Sequence, residues 1–210
     1  MAIIGDSDRW SAALLDTFGV VAAVIETVWP VCRADFHARR TENYITRRLI
    51  RRIRRDERIR DSFLQVESQR ELLDDDPDTE TGPEGYLDIS ILFWVGRNNL
   101  CLALECKRLN VLNKKGERDS LAHEYVHKGI MRFVNGQYAS GLPLGGMIGY
   151  VMDGDVAFAF AAVKAKIRAE AAALSCDLHQ SRELAAPQSF LTIHRRSPVE
   201  IELRHLLLPV

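Results

Sequence analysis

A glutamate and a lysine stand two residues apart at the end of an apolar run. The run Leu100–Leu104 leads into Glu105-Cys106-Lys107, seventeen residues after Asp88. In a β-strand, residues i and i+2 point to the same face about 6.7 Å apart, so Glu105 and Lys107 share a face. Charges at the end of a buried strand are costly unless something compensates them. A divalent metal ion and a substrate phosphate together would do so.

This pattern of acids and a lysine suits phosphodiester hydrolysis. That reaction needs an activated water and stabilised negative charge, which hard divalent cations held by carboxylate and carbonyl oxygens supply. We expect Asp88 and Glu105 to bind Mg²⁺, with the backbone carbonyl of Cys106 as a further ligand. Lys107 would orient the attacking water or stabilise developing charge. An ordinary ion pair at a strand end is the alternative that the motif leaves open.

The turn between the two predicted strands sets the geometry of the acids. A two-residue turn at Gly96-Arg97 places Asp88 directly opposite Glu105, and a turn one residue later places it opposite Lys107. Either turn keeps the three side chains on one face, because the pairing parity is unchanged. A three-residue loop without a bulge would separate them.

A basic segment precedes these strands. Residues 33–60 contain eleven arginines and four acids, whereas residues 61–90 contain ten acids and one arginine. We predict a helix over residues 35–58, and Glu42 lies on its apolar stripe. Glu42 could therefore hold a second metal ion or a metal-bound water. The candidate DNA-backbone contacts on this helix are Arg48, Arg51 and Arg55, with a solvated basic face as the alternative.

The order of Glu42, Asp88 and Glu105-x-Lys107 along the chain resembles the PD-(D/E)xK nuclease superfamily, also called restriction-endonuclease-like. The resemblance covers residues 35–152, with Leu87 where the superfamily usually has proline. It implies an α/β fold with an αβββαβ core, in which helices flank a mixed central sheet. It also implies a Mg²⁺-dependent DNA endonuclease, with Mn²⁺ as a substitute and DNA rather than RNA as substrate. Many such standalone proteins act in restriction or anti-phage defence.

The segment after the Glu-x-Lys strand is predicted to be a helix over residues 120–139. In the superfamily that it resembles, this helix borders the active site. Lys128 and Arg132 are therefore candidate phosphate contacts, and Gly129 would allow the helix to approach the sheet closely. Further candidates on this segment are Tyr125, Gln137 and Tyr138.

Two other functions remain open. His123-Glu124-Tyr125-Val126-His127 spells the His-Glu-x-x-His pattern of zinc metalloproteases, which needs a third zinc ligand. Its basic neighbours Lys128 and Arg132 argue against a protease. The second alternative is a nonenzymatic module that binds nucleic acid or docks a partner on the same fold.

The organisation of the chain indicates one compact unit of 210 residues. We expect an N-terminal helical extension over residues 1–34 and a nuclease domain over residues 35–210. A helix is predicted over residues 7–28, ended by Pro30 and interrupted at Gly19. No apolar run suggests a membrane span, and scattered cysteines indicate reduced thiols, so we expect a cytoplasmic protein without a membrane partner. A homodimer is a candidate, because double-strand cutting needs two sites and the N-terminal helix is apolar, and an activating protein partner is a separate candidate.

Towards the C-terminus the pattern predicts four further elements. They are a strand over residues 147–152, a helix capped by Asp155 that reaches residue 174, and a hairpin of strands over residues 190–194 and 201–208.

Overall fold

The computed structural model describes residues 7–36, 40–72, 85–113, 115–184 and 189–210. The acid-rich run at residues 74–83, which its composition predicts to be a loop, lies outside these ranges. The helices are α1 Ser7–Arg33, α2 Glu42–Ile53, α3 Glu57–Arg60, α4 Ala122–Tyr125, a π-helical turn Val126–Ile130, α5 Met131–Val134 and α6 Val156–Ala169. The strands are β1 Gln65–Leu72, β2 Gly85–Val95, β3 Asn98–Leu109, β4 Val111–Leu112, β5 Arg118–Asp119, β6 Leu144–Val151, β7 Cys176–Glu183, β8 Ser189–His194 and β9 Ile201–Pro209.

Seven of these strands form one mixed sheet in the order β1-β2-β3-β6-β9-β8-β7. Strand β6 runs parallel to both β3 and β9, and the other neighbours are antiparallel. Strands β4 and β5 pair separately. The fold is therefore mixed α/β with a mixed central sheet and flanking helices, as expected from the sequence.

Helices cover both faces of the sheet and create two apolar cores. Helices α1 and α2 bury residues such as Phe18 and Leu49 against one face. The segment from α4 to α5 and helix α6 bury residues such as Phe133 and Val163 against the other. Because α1 shares a core with α2 and the sheet, the residues expected to form an N-terminal extension pack as part of the same unit.

Helix α1 differs from the prediction because it continues through Gly19 and Pro30. Proline removes one backbone hydrogen bond, but burial of the last turn compensates: Cys32 is buried, and Trp29 Nε1 donates to the Pro209 carbonyl at 2.8 Å. Over Trp10–Arg33, α1 also has the length and apolar composition of a membrane span, contrary to the sequence expectation. Its buried stripe nevertheless packs in the first core.

Other boundaries follow local chemistry. Helix α2 ends at Ile53 rather than residue 58, and α3 starts separately because Asp56 caps it by accepting the Arg58 N–H at 3.0 Å. Asp155 caps α6 as expected, accepting the Phe158 N–H at 3.1 Å. The sequence did not predict β7, which is a polar edge strand without clear alternation.

Candidate functional site

The β2–β3 hairpin brings the predicted acids together. Val95 pairs with Asn98, so Gly96-Arg97 form the two-residue turn, and the register continues to Ile89 opposite Leu104. The next position on each strand is Asp88 and Glu105. The Asp88 carboxylate Oδ2 accepts the Cys106 backbone N–H at 2.8 Å, which fixes its orientation at the end of the ladder.

The ammonium of Lys107 lies at the centre of the site. Its Nζ donates to Glu105 Oε1 at 2.6 Å and to the Cys106 carbonyl at 2.8 Å. The same Nζ is 3.3 Å from Glu42 Oε1 and 4.0 Å from Asp88 Oδ2. Burial disfavours the charged form, but the surrounding carboxylates outweigh it and raise the pKa of Lys107. Lys107 is therefore a cation at neutral pH.

Glu42 reaches the site from the first position of α2. Thr41 caps this helix by accepting the Tyr44 N–H, so the helix begins at Glu42. This end of the helix lies beside the end of β3. One oxygen of Glu42 binds Lys107, and the other accepts the backbone N–H of Arg108 at 3.0 Å. The acid on the apolar stripe thus connects α2 to the end of β3.

Glu105 is the most deeply buried acid of the site. Its side chain is 1% exposed, and its second oxygen Oε2 has no hydrogen-bond partner among the described residues. Burial, followed by the negative charge of Asp88, raises the pKa of Glu105 to about 8, although Lys107 and Arg132 partly offset this. A buried carboxyl with a free oxygen and a raised pKa is typical of functional sites.

Arg132 supplies a second cation at Glu105. Its Nη1 lies 3.2 Å from Glu105 Oε1 and also donates to the Tyr138 hydroxyl. That hydroxyl donates in turn to the Tyr86 carbonyl at 2.8 Å, which links α5 to the start of β2. The Arg132 side chain is 35% exposed, so part of the guanidinium remains open to the cleft.

The π-helical turn separates the other residues predicted on this helix. Tyr125 precedes the turn and is fully buried, and its hydroxyl contacts His205 at 3.0 Å instead of facing the site. Lys128 lies within the turn, is exposed and pairs with Glu124 at 2.7 Å. An inserted residue changes the angular position of the side chains that follow it. The spacing of a regular helix therefore does not hold from Tyr125 to Arg132, which lie on either side of this turn.

Gly129 confirms the expected close approach of this helix to the sheet. A Cβ atom at this position would lie 2.4 Å from Met147 Cε and 3.7 Å from Lys107 Cγ. The absence of a side chain lets the π-helical turn rest directly on β6 beside the lysine.

A cleft of about 370 Å³ opens beside these side chains. Sequence reasoning did not assign Arg108 or Leu121 to this site, and it considered Glu124 only in the His-Glu-x-x-His pattern. Spacing offered a signal for Glu124, which stands four residues before Lys128 on a helix. The lining residues are Glu42, Lys107, Arg108, Leu121, Glu124, Lys128 and Arg132.

The arginines of α2 lie apart from this cleft. Arg48 forms an ion pair with Asp35. Arg51 is exposed on the side of α2 opposite its buried stripe, and Arg55 is exposed in the turn that follows the helix. Since a helix rises about 1.5 Å per residue, Arg51 lies about 13 Å along the axis from Glu42. The structure does not bring them together with the acids.

The His-Glu-x-x-His residues make other contacts. His123 and His127 are exposed with ring centroids 4.3 Å apart, and His127 Nε2 contacts Glu170 at 2.9 Å. In the part of the chain that the structure describes, no three His, Cys, Asp or Glu side chains form a metal-binding group. A metal ion at the Glu105 site would therefore need backbone oxygen as well as carboxylates.

A second buried polar cluster lies on the same face of the sheet. Four side chains form a chain of hydrogen bonds that ends at the Leu174 carbonyl, which can only accept. His194 Nδ1 must donate to it, so Thr192 donates to His194 Nε2 and accepts from His205 Nε2. Tyr125 then donates to His205 Nδ1. Every link is satisfied when both histidines are neutral.

Comparison with protein-family models finds no match to this chain, and comparisons with curated proteins and with solved structures find none either.

Proposed function

We propose that this protein is a Mg²⁺-dependent phosphodiesterase of the PD-(D/E)xK type that cleaves DNA. The observation that carries the proposal is the convergence of three acids, Glu42, Asp88 and Glu105, on the ammonium of Lys107. Such a cluster is costly for stability, because two of the acids repel each other at a buried position. A catalytic task explains why the chain carries it.

The donor set fits Mg²⁺. Glu105 Oε2 is buried and has no partner within the described ranges, and the Cys106 carbonyl is directed towards the cluster, where Lys107 contacts it. Asp88 and Glu105 with this carbonyl offer the oxygen ligands that Mg²⁺ prefers, and Mn²⁺ has similar preferences. When bound, the ion would lower the pKa of a water and stabilise charge on the phosphate.

The protein side chains would bind and orient the DNA phosphate. Lys107 holds Glu105 and can donate to an attacking water or to the phosphate. Arg132 donates a hydrogen bond to Glu105, and the rest of its guanidinium faces the cleft. Lys128 is also exposed there. Glu42 positions Lys107 by sharing its ammonium with Glu105.

The order of elements supports the restriction-endonuclease-like assignment. Helix α2, strands β1 to β3, the α4–α5 segment and β6 follow one another as in an αβββαβ core. The acids occupy the second and third of these strands, and Glu42 the first helix. On this basis we also propose a cytoplasmic restriction or anti-phage component that works as a homodimer or with an activating partner.

The deciding experiment measures cleavage of plasmid and linear DNA with Mg²⁺ or Mn²⁺. We expect wild-type cleavage and a loss of about 10³-fold or more in Glu105→Gln and Lys107→Ala, since the first removes a carboxylate ligand of the metal ion and the second removes a cation at the reacting phosphate. Control variants are Lys166→Ala and Asp61→Asn, which remove a lysine and an acid from ion pairs outside the cleft.

Three results would overturn the proposal. Equal cleavage by all variants would reject this site. DNA binding without cleavage in either metal would support the nonenzymatic module. Bound zinc with peptidase activity that is lost in His127→Ala would support the protease.

A further inference from the structure

A cavity of about 280 Å³ lies between α6 and the strands β7 and β8. Two strands, β6 and β9, separate β8 from the strand that carries Glu105. With strands about 4.8 Å apart, β8 lies about 14 Å from β3, so this cavity is distinct from the acidic site. Nothing in the proposed phosphodiesterase mechanism uses it.

A bulge in β7 creates the cavity. Asp177 pairs with Ile193, but the next pair joins Arg182 to Leu191, so residues 178–181 face Thr192 alone. The bulge is held by its own hydrogen bonds, because the Asp177 carboxylate accepts the His179 N–H at 3.0 Å and the Gln180 N–H at 3.3 Å. Bulges of this kind are over-represented next to functional sites.

The cavity lining is basic. Arg168 from α6 and Arg182 from β7 line it, and neither has a hydrogen-bond or ion-pair partner among the described residues. Lys164 also lines it and pairs at 2.9 Å with Glu183, which is not a lining residue. No lining residue is acidic. Unpaired guanidinium groups favour an anion, and their fork geometry suits phosphate oxygens.

The rest of the cavity is apolar. Ile167, Phe190 and Leu191 are buried beneath it, and Leu178 lines it from the bulge. An occupant that matches both parts carries an anionic group and a compact apolar or aromatic group. The cavity lies between a helix and two strands and is at the small end of the range for ligand pockets, which favours a small molecule over a polynucleotide.

We infer that this cavity binds a small organic phosphomonoester of the size of a nucleoside monophosphate. The phosphate contacts Arg168 and Arg182, and the apolar group lies against Leu178 and Phe190. This site acts independently of the cleft at Lys107.

Isothermal titration calorimetry with the full chain in EDTA tests this inference. The probes are AMP, GMP, CMP and UMP, with inorganic phosphate and adenosine for the two separate halves of the ligand. We expect at least one nucleotide to bind at least tenfold more tightly than either half. The double variant Arg168→Gln/Arg182→Gln should weaken that binding at least tenfold, and the control Arg47→Gln/Arg97→Gln should not change it.

Both arginines of the cavity are exposed, and their side chains have no hydrogen-bond or ion-pair partner among the described residues, so the variant should keep its fold, which circular dichroism checks. Absence of binding by all four nucleotides would overturn the inference, as would equal binding by the variant. Binding of a single-stranded oligonucleotide that depends on these arginines, without nucleotide binding, would instead make this surface part of a nucleic-acid path.

Discussion

Two buried polar clusters lie on one face of the sheet, and their polar groups are stabilised in opposite ways. Glu105 is paired with Met147 across β3 and β6, and Met147 with His205 across β6 and β9, so the clusters are two strands apart. Around Glu105 the groups are ionisable, and carboxyl groups lie against the cations of Lys107 and Arg132 beside an open cleft. Around His205 they are neutral, and each is satisfied by a single directed chain of hydrogen bonds.

The difference shows that the ionisable side chains lie where the sheet borders a cleft, whereas the closed position holds neutral side chains. The charged cluster borders an open cleft, and one oxygen of Glu105 has no hydrogen-bond partner among the residues that the structure describes. The neutral cluster is closed and connects α4 to β8 and β9, which gives it a structural role. Stability measurements can separate the two, because charged and neutral clusters respond differently to substitution and to pH.

The substitution Lys107→Ala is expected to have the largest effect on the free energy of unfolding. Removal of the ammonium leaves Glu105 beside Asp88 with only Arg132 as compensation, and breaking a buried pair costs about 3 kcal/mol of unfolding free energy. The double variant Glu105→Gln/Lys107→Met removes both charges and should recover most of that loss. Urea unfolding at pH 8.5 measures both. A double variant less stable than Lys107→Ala would show that the cluster is not held by charge compensation.

The second largest expected effect is a loss of folding stability at acidic pH. Burial, followed by the charge of His194, lowers the pKa of His205 well below its usual value. Below about pH 6.5 the unfolded chain therefore binds a proton that the folded chain does not, and stability falls as pH falls. By pH 5 this costs about 2 kcal/mol relative to pH 7, from 1.36 kcal/mol per pH unit.

The variant His205→Gln isolates that contribution, because His194 remains in both proteins. The stability difference between wild type and variant should shrink by about 2 kcal/mol between pH 7 and pH 5. Chemical denaturation at the two pH values gives the difference. Parallel pH profiles would mean that His205 can accept a proton in the folded protein.

The smallest expected effect is that of Tyr125→Phe. It removes the hydroxyl that donates to His205 Nδ1, and a lost hydrogen bond of this kind costs about 1 kcal/mol. Thermal or urea unfolding at pH 7 measures it, and Tyr44→Phe on the half-buried side of α2 provides the matched control. A cost no larger than that of the control would remove Tyr125 from the chain of hydrogen bonds.

Local rules were enough to predict the charged site. The two-residue period of a strand put Glu105 and Lys107 on one face, and the parity of a two-residue turn brought Asp88 opposite Glu105. The apolar stripe of α2 indicated that Glu42 turns inward. These relations span a strand, a turn or a helix, where backbone geometry alone decides which side chains share a face.

Only the tertiary structure decided the neutral cluster, the basic cavity and the contact of Arg132 with Glu105. The hydrogen-bonded chain joins Tyr125 to residues about 70 to 80 positions later, and a π-helical turn after Tyr125 shifts the side chains that follow it, Arg132 among them. The cavity depends on a register shift between β7 and β8. Sequence by itself determined the residue types and their local faces, whereas packing between distant segments selected which polar groups meet, because buried groups must find partners wherever the fold brings them.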